Sequence, residues 1–384
     1  MKFFRTLTFL YLFTFFTNLT VGMLGIALPL FAISLGAGNI TLGAIGTSAS
    51  IVYVSAVLFT ARLSDRIPKN LQSGAGAILF GITLCMFPFV PKLAWVFPLV
   101  FCYIIGLALI WPSLESALAR FVTGKQLAMS SGWYNVSWSS GATIGYLLGG
   151  YVYAHGAGLV FRIAGGAAIL LGAAFISLFR APAEAKEPDK GFEPGPVYLL
   201  YLSWLANGMI YFILNIMRNI FPRLAAQLHF SSANLGYLLL SLSLAQCALF
   251  IILNLTAKWH FKFWPLIVAL FTVIAGLMVV TFTNQFAGFA IGFLLIGAGA
   301  GMTYSASLYY AVGMESGVAG ERSGWHEFYV GVGGFSGPLV GGLLAHFVGP
   351  KSPYAASAGL VLVVIAIQVY LYSKKIKNGQ KPVQ

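Results

Sequence analysis

The chain has 384 residues, of which 59% are hydrophobic and 8% charged, and carries a net charge of +13. That is too little charge to cover the surface of a water-soluble fold of this length, so that class is excluded. The basic excess does not call for nucleic acid either. With the amino terminus in the cytoplasm, 17 of the 22 lysines and arginines fall in cytoplasmic segments and five outside, which is the positive-inside pattern of an inner or plasma membrane protein with both termini cytoplasmic.

A transmembrane helix needs about 20 apolar residues. Twelve such stretches are predicted, at residues 8–33, 42–61, 71–90, 94–118, 134–155, 158–179, 197–219, 233–256, 264–283, 286–311, 327–348 and 354–373. Their length marks helices, since a barrel would show short alternating strands. The first stretch is too long for a cleavable signal and leads into another span, so none is expected. Cys85, Cys102 and Cys247 all lie in spans and read as small core residues, without disulfide or metal spacing.

Span 1 sets Tyr11, Thr14, Asn18 and Gly22 on one narrow helical face. A polar stripe in lipid faces protein or water, which leaves two readings: contacts to a solute cavity, or hydrogen bonds between helices. After span 2 comes Ala61-Arg62-Leu63-Ser64-Asp65-Arg66-Ile67-Pro68-Lys69-Asn70. This turn resembles the signature Gly-x-Leu-Ala-Asp-Arg-x-Gly-Arg-Lys of the major facilitator superfamily. Leu63, Asp65, Arg66 and Lys69 fit, while Ala61 and Pro68 replace glycines and Asn70 replaces a base. The resemblance implies that Asp65, with Arg66, forms a cytoplasmic gate. A carboxylate there can latch onto the amino terminus of span 11, whose unpaired N–H groups and dipole attract it. The plainer reading is a solvated, topogenic turn.

In span 4, Pro112 frees a backbone carbonyl, and Glu115 lies about one turn inside the cytoplasmic face. An intramembrane carboxylate is a functional candidate, here a proton carrier; the competing reading pairs it with Arg120. Span 5 contains Ser131–Gly150, SGWYNVSWSSGATIGYLLGG, and span 11 contains Ser323–Gly342, SGWHEFYVGVGGFSGPLVGG. The two align without a gap at a shift of 192 residues (323 − 131), half the chain, which marks an internal duplication. Gly141, Gly145 and Gly149 in the first copy, and Gly333, Gly337, Pro338 and Gly341 in the second, form a helix-packing motif: small residues four apart let neighbouring backbones approach. Between the copies, residues 180–196 hold four of the nine acidic residues and four prolines, a solvated linker with no core. The expected domains are a six-helix bundle over 1–179, a cytoplasmic linker over 180–196, a second six-helix bundle over 197–373 and a cytoplasmic tail over 374–384.

Span 7 gives the longest polar stripe: Trp204, Asn207, Tyr211, Asn215 and Arg218, stepping by 3, 4, 4 and 3. Rings and amides on one line suit a cavity for an amphipathic or sugar-like molecule. Arg218, near the outer end, reads as an interfacial anchor. In span 10, Thr303, Ser307 and Tyr310 share a face with Tyr304 at its edge. The run Gly297–Gly301 follows no strand, so it packs helices and binds no dinucleotide. Span 11 opens on His326-Glu327, which can titrate in a coupling role or simply cap the first turn. Its GxxxGPxxGG run resembles the antiporter motif of major facilitator exporters; in those exporters it lies in span 5, where this chain has Tyr146 in place of the proline.

The resemblance to the major facilitator superfamily covers the whole chain. It implies an all-α membrane protein of twelve helices in two pseudo-symmetric six-helix bundles around a cavity lined by spans 1, 4, 7 and 10. The function it implies is secondary active transport of a small organic solute by alternating access, coupled to H+, with efflux as one direction left open and an uptake permease or uniporter as the alternative. Substrate contacts are expected at Asn18, Trp204, Asn207, Tyr211, Asn215, Tyr304, Ser307 and Tyr310, and proton coupling at Glu115, His326 or Glu327. The expected partners are a small-molecule substrate, H+ and the lipid bilayer, for a monomer with no cofactor, metal or nucleic acid. No phosphate-binding loop appears, which argues against ATP-driven pumping. An enzyme would cluster its histidines, and the five here are scattered. A solute sensor would keep the same fold without flux.

Overall fold

Backbone N–H and C=O groups in lipid must be paired within the protein, and this chain meets that demand with helices alone among the described residues. The computed structural model describes residues 2–64, 66–122, 124–180, 196–313 and 319–377. Asp65, nearly all of the 180–196 linker and the end of the 374–384 tail lie outside them. The helices are α1 (Lys2–Ser34), α2 (Asn39–Ser64), α3 (Lys69–Met86), α4 (Val96–Phe121), α5 (Gly124–Tyr153), α6 (Ala157–Leu178), α7 (Val197–Asn219), α8 (Phe221–Gln227), α9 (Ser232–Asn254), α10 (Trp264–Phe282), α11 (Phe286–Gly313), α12 (Ala319–Phe347) and α13 (Ser352–Lys377). Short α8 aside, these are the twelve expected spans, with spans 8 to 12 as α9 to α13. Two helices begin well before their apolar stretches: α5 starts at Gly124 and α12 at Ala319. The Ser-Gly-Trp segments that precede both stretches continue the helix, because helical pairing needs no apolar side chains once a span has nucleated it.

Eleven of the long helices are apolar enough to cross a membrane by composition. The exception is α5, whose serines, glycines and Asn135 lower its mean hydropathy. Those residues are spent on packing. Tyr11 of α1 donates to the Ser130 carbonyl at 3.1 Å, and Thr143 of α5 donates to Ser243 of α9 at 2.9 Å.

Helix pairing repeats between the two halves. In the first, α1 packs on α5, α2 on α4, and α3 on both α4 and α6; in the second, α7 packs on α12, α9 on α11, and α10 on both α11 and α13. The duplication in sequence is therefore a duplication in space. The glycine motif divides its work in the same way in each copy. Gly141, Gly145 and Gly149 bring α5 against the α1 backbone at Phe15, Leu19 and Met23; Gly333 and Gly337 bring α12 against α7 at Gly208 and Phe212, and Gly341 faces Ile216. The second glycine of each closing pair turns to the other half. A Cβ on Gly150 would lie 2.9 Å from Gly236 Cα on α9, and one on Gly342 would lie 2.7 Å from the Asn39 carbonyl oxygen on α2.

These contacts form two seams between the halves, α5 with α9 and α2 with α12. At the face away from the chain ends, Ser232 donates to the Gly150 carbonyl at 2.9 Å and Asn39 to the Ala345 carbonyl at 3.1 Å. We call this the far face. At the opposite, terminal face, Tyr198 and Tyr372 set the start of α7 beside the end of α13 (ring centroids 5.9 Å apart), and Phe9 sets the start of α1 beside Phe179 after α6 (6.5 Å). Beyond the spans on this face, His260 stacks on Tyr309 at 4.0 Å, and burial holds its imidazole below the usual histidine range.

Proline inside a helix removes an N–H and leaves the carbonyl four residues back unpaired. Pro112 in α4 frees the Ala108 carbonyl, and Thr60 of α2 donates to it at 2.7 Å. That bond is buried, and Gln72 of α3 in turn donates to the Thr60 carbonyl at 2.9 Å. Thr60→Val should keep the shape while orphaning Ala108, at a cost of about 1–3 kcal/mol. A lower thermal unfolding midpoint in detergent is the expected result, and an unchanged midpoint would remove this bond from the account of how α2 is held to α4.

Candidate functional site

Of the nine acidic residues, two fall inside the membrane spans: Glu115 on α4 and Glu327 on α12. They come from different halves and lie within electrostatic reach of each other. Glu115 is exposed and the Glu327 side chain is 43% exposed, although both lie at membrane depth. Tyr53 of α2, Tyr134 of α5, Tyr211 of α7 and Tyr304 of α11 are within electrostatic reach of both. Side chains from four further helices, drawn from both halves, thus lie near the two carboxylates, which places the acids in a cleft between the halves rather than against lipid. Among the described residues Glu115 makes no ion pair, with Arg120 or otherwise. Glu327 has one, a 3.9 Å contact from its Oε1 to Nε2 of His326 that carries charge when the histidine is protonated.

Tyr304 is the hub of the ring cluster. It meets Trp138 of α5 edge-on at 5.8 Å, Phe250 of α9 at 5.7 Å, Tyr211 at 6.2 Å and His326 at 5.4 Å. Trp138 is held from behind, its indole N–H donating to Asn135 Oδ1 at 3.1 Å. His326 is 2% exposed; its Nδ1 is hydrogen-bonded to the Ser307 hydroxyl at 2.7 Å, and its Nε2 has no hydrogen-bond partner.

Three of the sequence candidates, Tyr211, Tyr304 and Ser307, thus join Glu115, His326 and Glu327 at one locus. The other candidates lie elsewhere. The Asn18 amide donates to its own helix at Thr14, 3.2 Å away, and the neighbouring stripe residues Tyr11 and Gly22 pack on α5. Asn215 donates back to the Tyr211 carbonyl at 2.9 Å. Asn207 is fully buried, with neither amide atom partnered. Trp204 stacks on Tyr329 at 6.1 Å in the core of the second half, and Tyr310 packs on Phe261 and Trp259 in the same core. Arg218 is only partly exposed, with a buried, unpartnered Nε, and its charge reaches Tyr211, so it faces the bundle interior and is not an interfacial anchor. At the terminal turn Arg66 is exposed.

Tyr53 and Tyr134 were not singled out from the sequence. The repeat carried the signal for Tyr134, which aligns with His326 (326 − 134 = 192), just as Glu115 aligns with Ser307 (307 − 115 = 192). Each half therefore offers an α4- or α11-borne polar group beside an α5- or α12-borne ring: Glu115 with Tyr134, Ser307 with His326.

Twelve long helices in two like-paired bundles, with a polar cleft between them, define a multi-pass membrane transporter fold. The sequence model of the Major Facilitator Superfamily matches residues 10–314 and 203–383, and the chain belongs to that family. Members of the family are transporters. Among solved structures, the chain is similar to a bacterial homologue of the human lysosomal transporter Spinster in its inward-facing, occupied conformation. There the TM-score is 0.73 at 14% identity, over 99% of this chain and 98% of that one. It is also similar to the human organic anion transporter MFSD10 (TETRAN), with TM-score 0.69 and 16% identity over 96% and 100%. A third is a POT family transporter in complex with a thioalcohol-conjugated peptide, with TM-score 0.73 and 13% identity over 97% and 96%. At these identities the likeness concerns the fold. No curated protein sequence matches the chain.

Proposed function

We propose that this protein is a secondary active transporter, moving a small organic solute by alternating access with H+ as the coupling ion. One observation carries the reading: two intramembrane carboxylates, one from each half, face a common cleft with no lysine or arginine paired to either among the described residues. A bare carboxylate pair at that depth costs several kcal/mol, so the resting site takes up a proton or a ligand, and exchange of one for the other couples the two fluxes. Each half acts as a unit, 1–179 and 197–373 joined by 180–196, and the two seams open and close as the halves rock. With the terminal face in the cytoplasm, the far face is the outward one, and its two seams part when the cleft opens outward.

The test is accumulation in proteoliposomes of purified protein under an imposed pH gradient, run over sugars, amino acids, organic anions and organic amines. At least one class should accumulate and should collapse on addition of a protonophore. Solute movement that ignores the gradient would replace this reading with a uniporter; no movement of any class would leave a solute-binding protein without flux.

A further inference from the structure

We infer that the cleft selects a small organic cation with an aromatic or alkylammonium head, a conclusion that rests on the transport reading above and names its substrate class. The carboxylates alone do not carry it; three further features of the same cleft do. The first is a wall of rings: Tyr134, Tyr211 and Tyr304 lie within electrostatic reach of the acids, and Trp138 meets Tyr304 at 5.8 Å. Such faces attract a desolvated cation and hold its apolar part. The second is His326. Buried to 2% exposure, anchored to Ser307 through Nδ1 and unpartnered at Nε2, it aims that free nitrogen at Glu327. At 3.9 Å the two are not hydrogen-bonded, so the carboxylate keeps its acceptor oxygens for a ligand.

The third feature is what the cleft lacks. Of the amides that would suit a sugar, Asn18 and Asn215 each give an N–H to their own helix, and Asn207 is fully buried. An anion would meet two carboxylates. Among the described residues, the interior bases are Arg218, seven residues along α7 from Tyr211 toward the far face, and the buried Lys69 at the start of α3, and neither forms a salt bridge with Glu115 or Glu327. A cation is the solute whose charge the site completes.

Binding of phenyltrimethylammonium to the purified full-length protein, read by quenching of tryptophan fluorescence, tests this directly. Its near-isostere N,N-dimethylaniline, uncharged at neutral pH, and benzoate serve as comparisons. Saturable binding of the cation, with neither comparison competing, is expected. Glu115→Gln and Glu327→Gln should each weaken it by about tenfold or more. Equal binding of N,N-dimethylaniline or benzoate overturns the inference, as does wild-type affinity in both glutamine variants. If a glutamine variant fails to fold, Glu115→Asp and Glu327→Asp keep the charge and should retain binding, and the wild-type comparison needs no variant. The two readings fail separately. Gradient-driven accumulation of a neutral or anionic solute, without cation binding, sinks this inference and leaves transport standing. Cation binding with no flux of any class does the reverse.

Discussion

Leucine in place of Gly145 or Gly337 is expected to leave no monodisperse, folded protein. At these positions α5 meets the Leu19 carbonyl of α1, and α12 meets the Phe212 carbonyl of α7, closer than any side-chain carbon can approach. A flexible side chain could swing aside, but a carbonyl locked in a helical hydrogen bond cannot, so the whole helix would have to shift. Overpacking costs about 1–3 kcal/mol where neighbours can adjust, and a rigid backbone puts the cost at or beyond the upper end. Both contacts lie within one half, so the damage falls on the bundle itself.

Leucine at Gly150 or Gly342 should behave differently, because these glycines face the other half across the far-face seams. The protein should fold but be biased toward opening at the far face. In a background with Cys85, Cys102 and Cys247 replaced by alanine, a cysteine at Thr47, whose hydroxyl now donates to the Phe335 carbonyl at 2.9 Å, should react faster with an impermeant maleimide in the Gly342→Leu protein. Size-exclusion profiles and labelling rates separate the two outcomes. If Gly145→Leu ran and melted like the wild type, the close approach of α1 to α5 would be wrong. If Gly342→Leu left Thr47→Cys as slow as before, the seam would not be what holds the far face shut.

The second large effect is expected at Glu115. Glutamine keeps the size and hydrogen-bonding reach of the side chain but cannot release a proton. Glu115→Gln should therefore reduce pH-gradient-driven accumulation to the level of protein-free liposomes. Exchange of solute across the membrane, assayed with solute raised to saturate the variant, should persist, because exchange needs the cleft and the rocking motion but no net proton movement. Glu327→Gln should behave alike, since the two carboxylates act on one another. Wild-type accumulation in both variants would dismiss a proton role for this pair. Loss of exchange together with accumulation would recast the acids as binding groups alone.

Much of the fold could be read in the chain because lipid enforces it. Twelve apolar runs have little choice but to become helices, and the Ser131–Gly150 and Ser323–Gly342 repeats announce that six are copied into twelve. The site was only half legible. Glu115 and His326-Glu327 stood out because charge is rare in a span. Period arithmetic on α1 and α7 found faces without saying what each face meets. Asn18 and Asn207 lie on genuine stripes, yet the stripe on α1 is turned toward α5 and Asn207 is closed off from the cleft.

The sequence by itself determined that this protein is an integral, all-helical, internally duplicated membrane protein, since those properties follow from local hydropathy and self-similarity along one dimension. Only the tertiary structure decided that the closing Gly-Gly pairs serve two different interfaces, that Tyr53 and Tyr134 stand beside the acids, and that Glu115 and Glu327 share a cleft. Each of those facts joins residues from separate helices or separate halves. Their distances depend on how helices rotate and cross, and no periodicity within a single span encodes that.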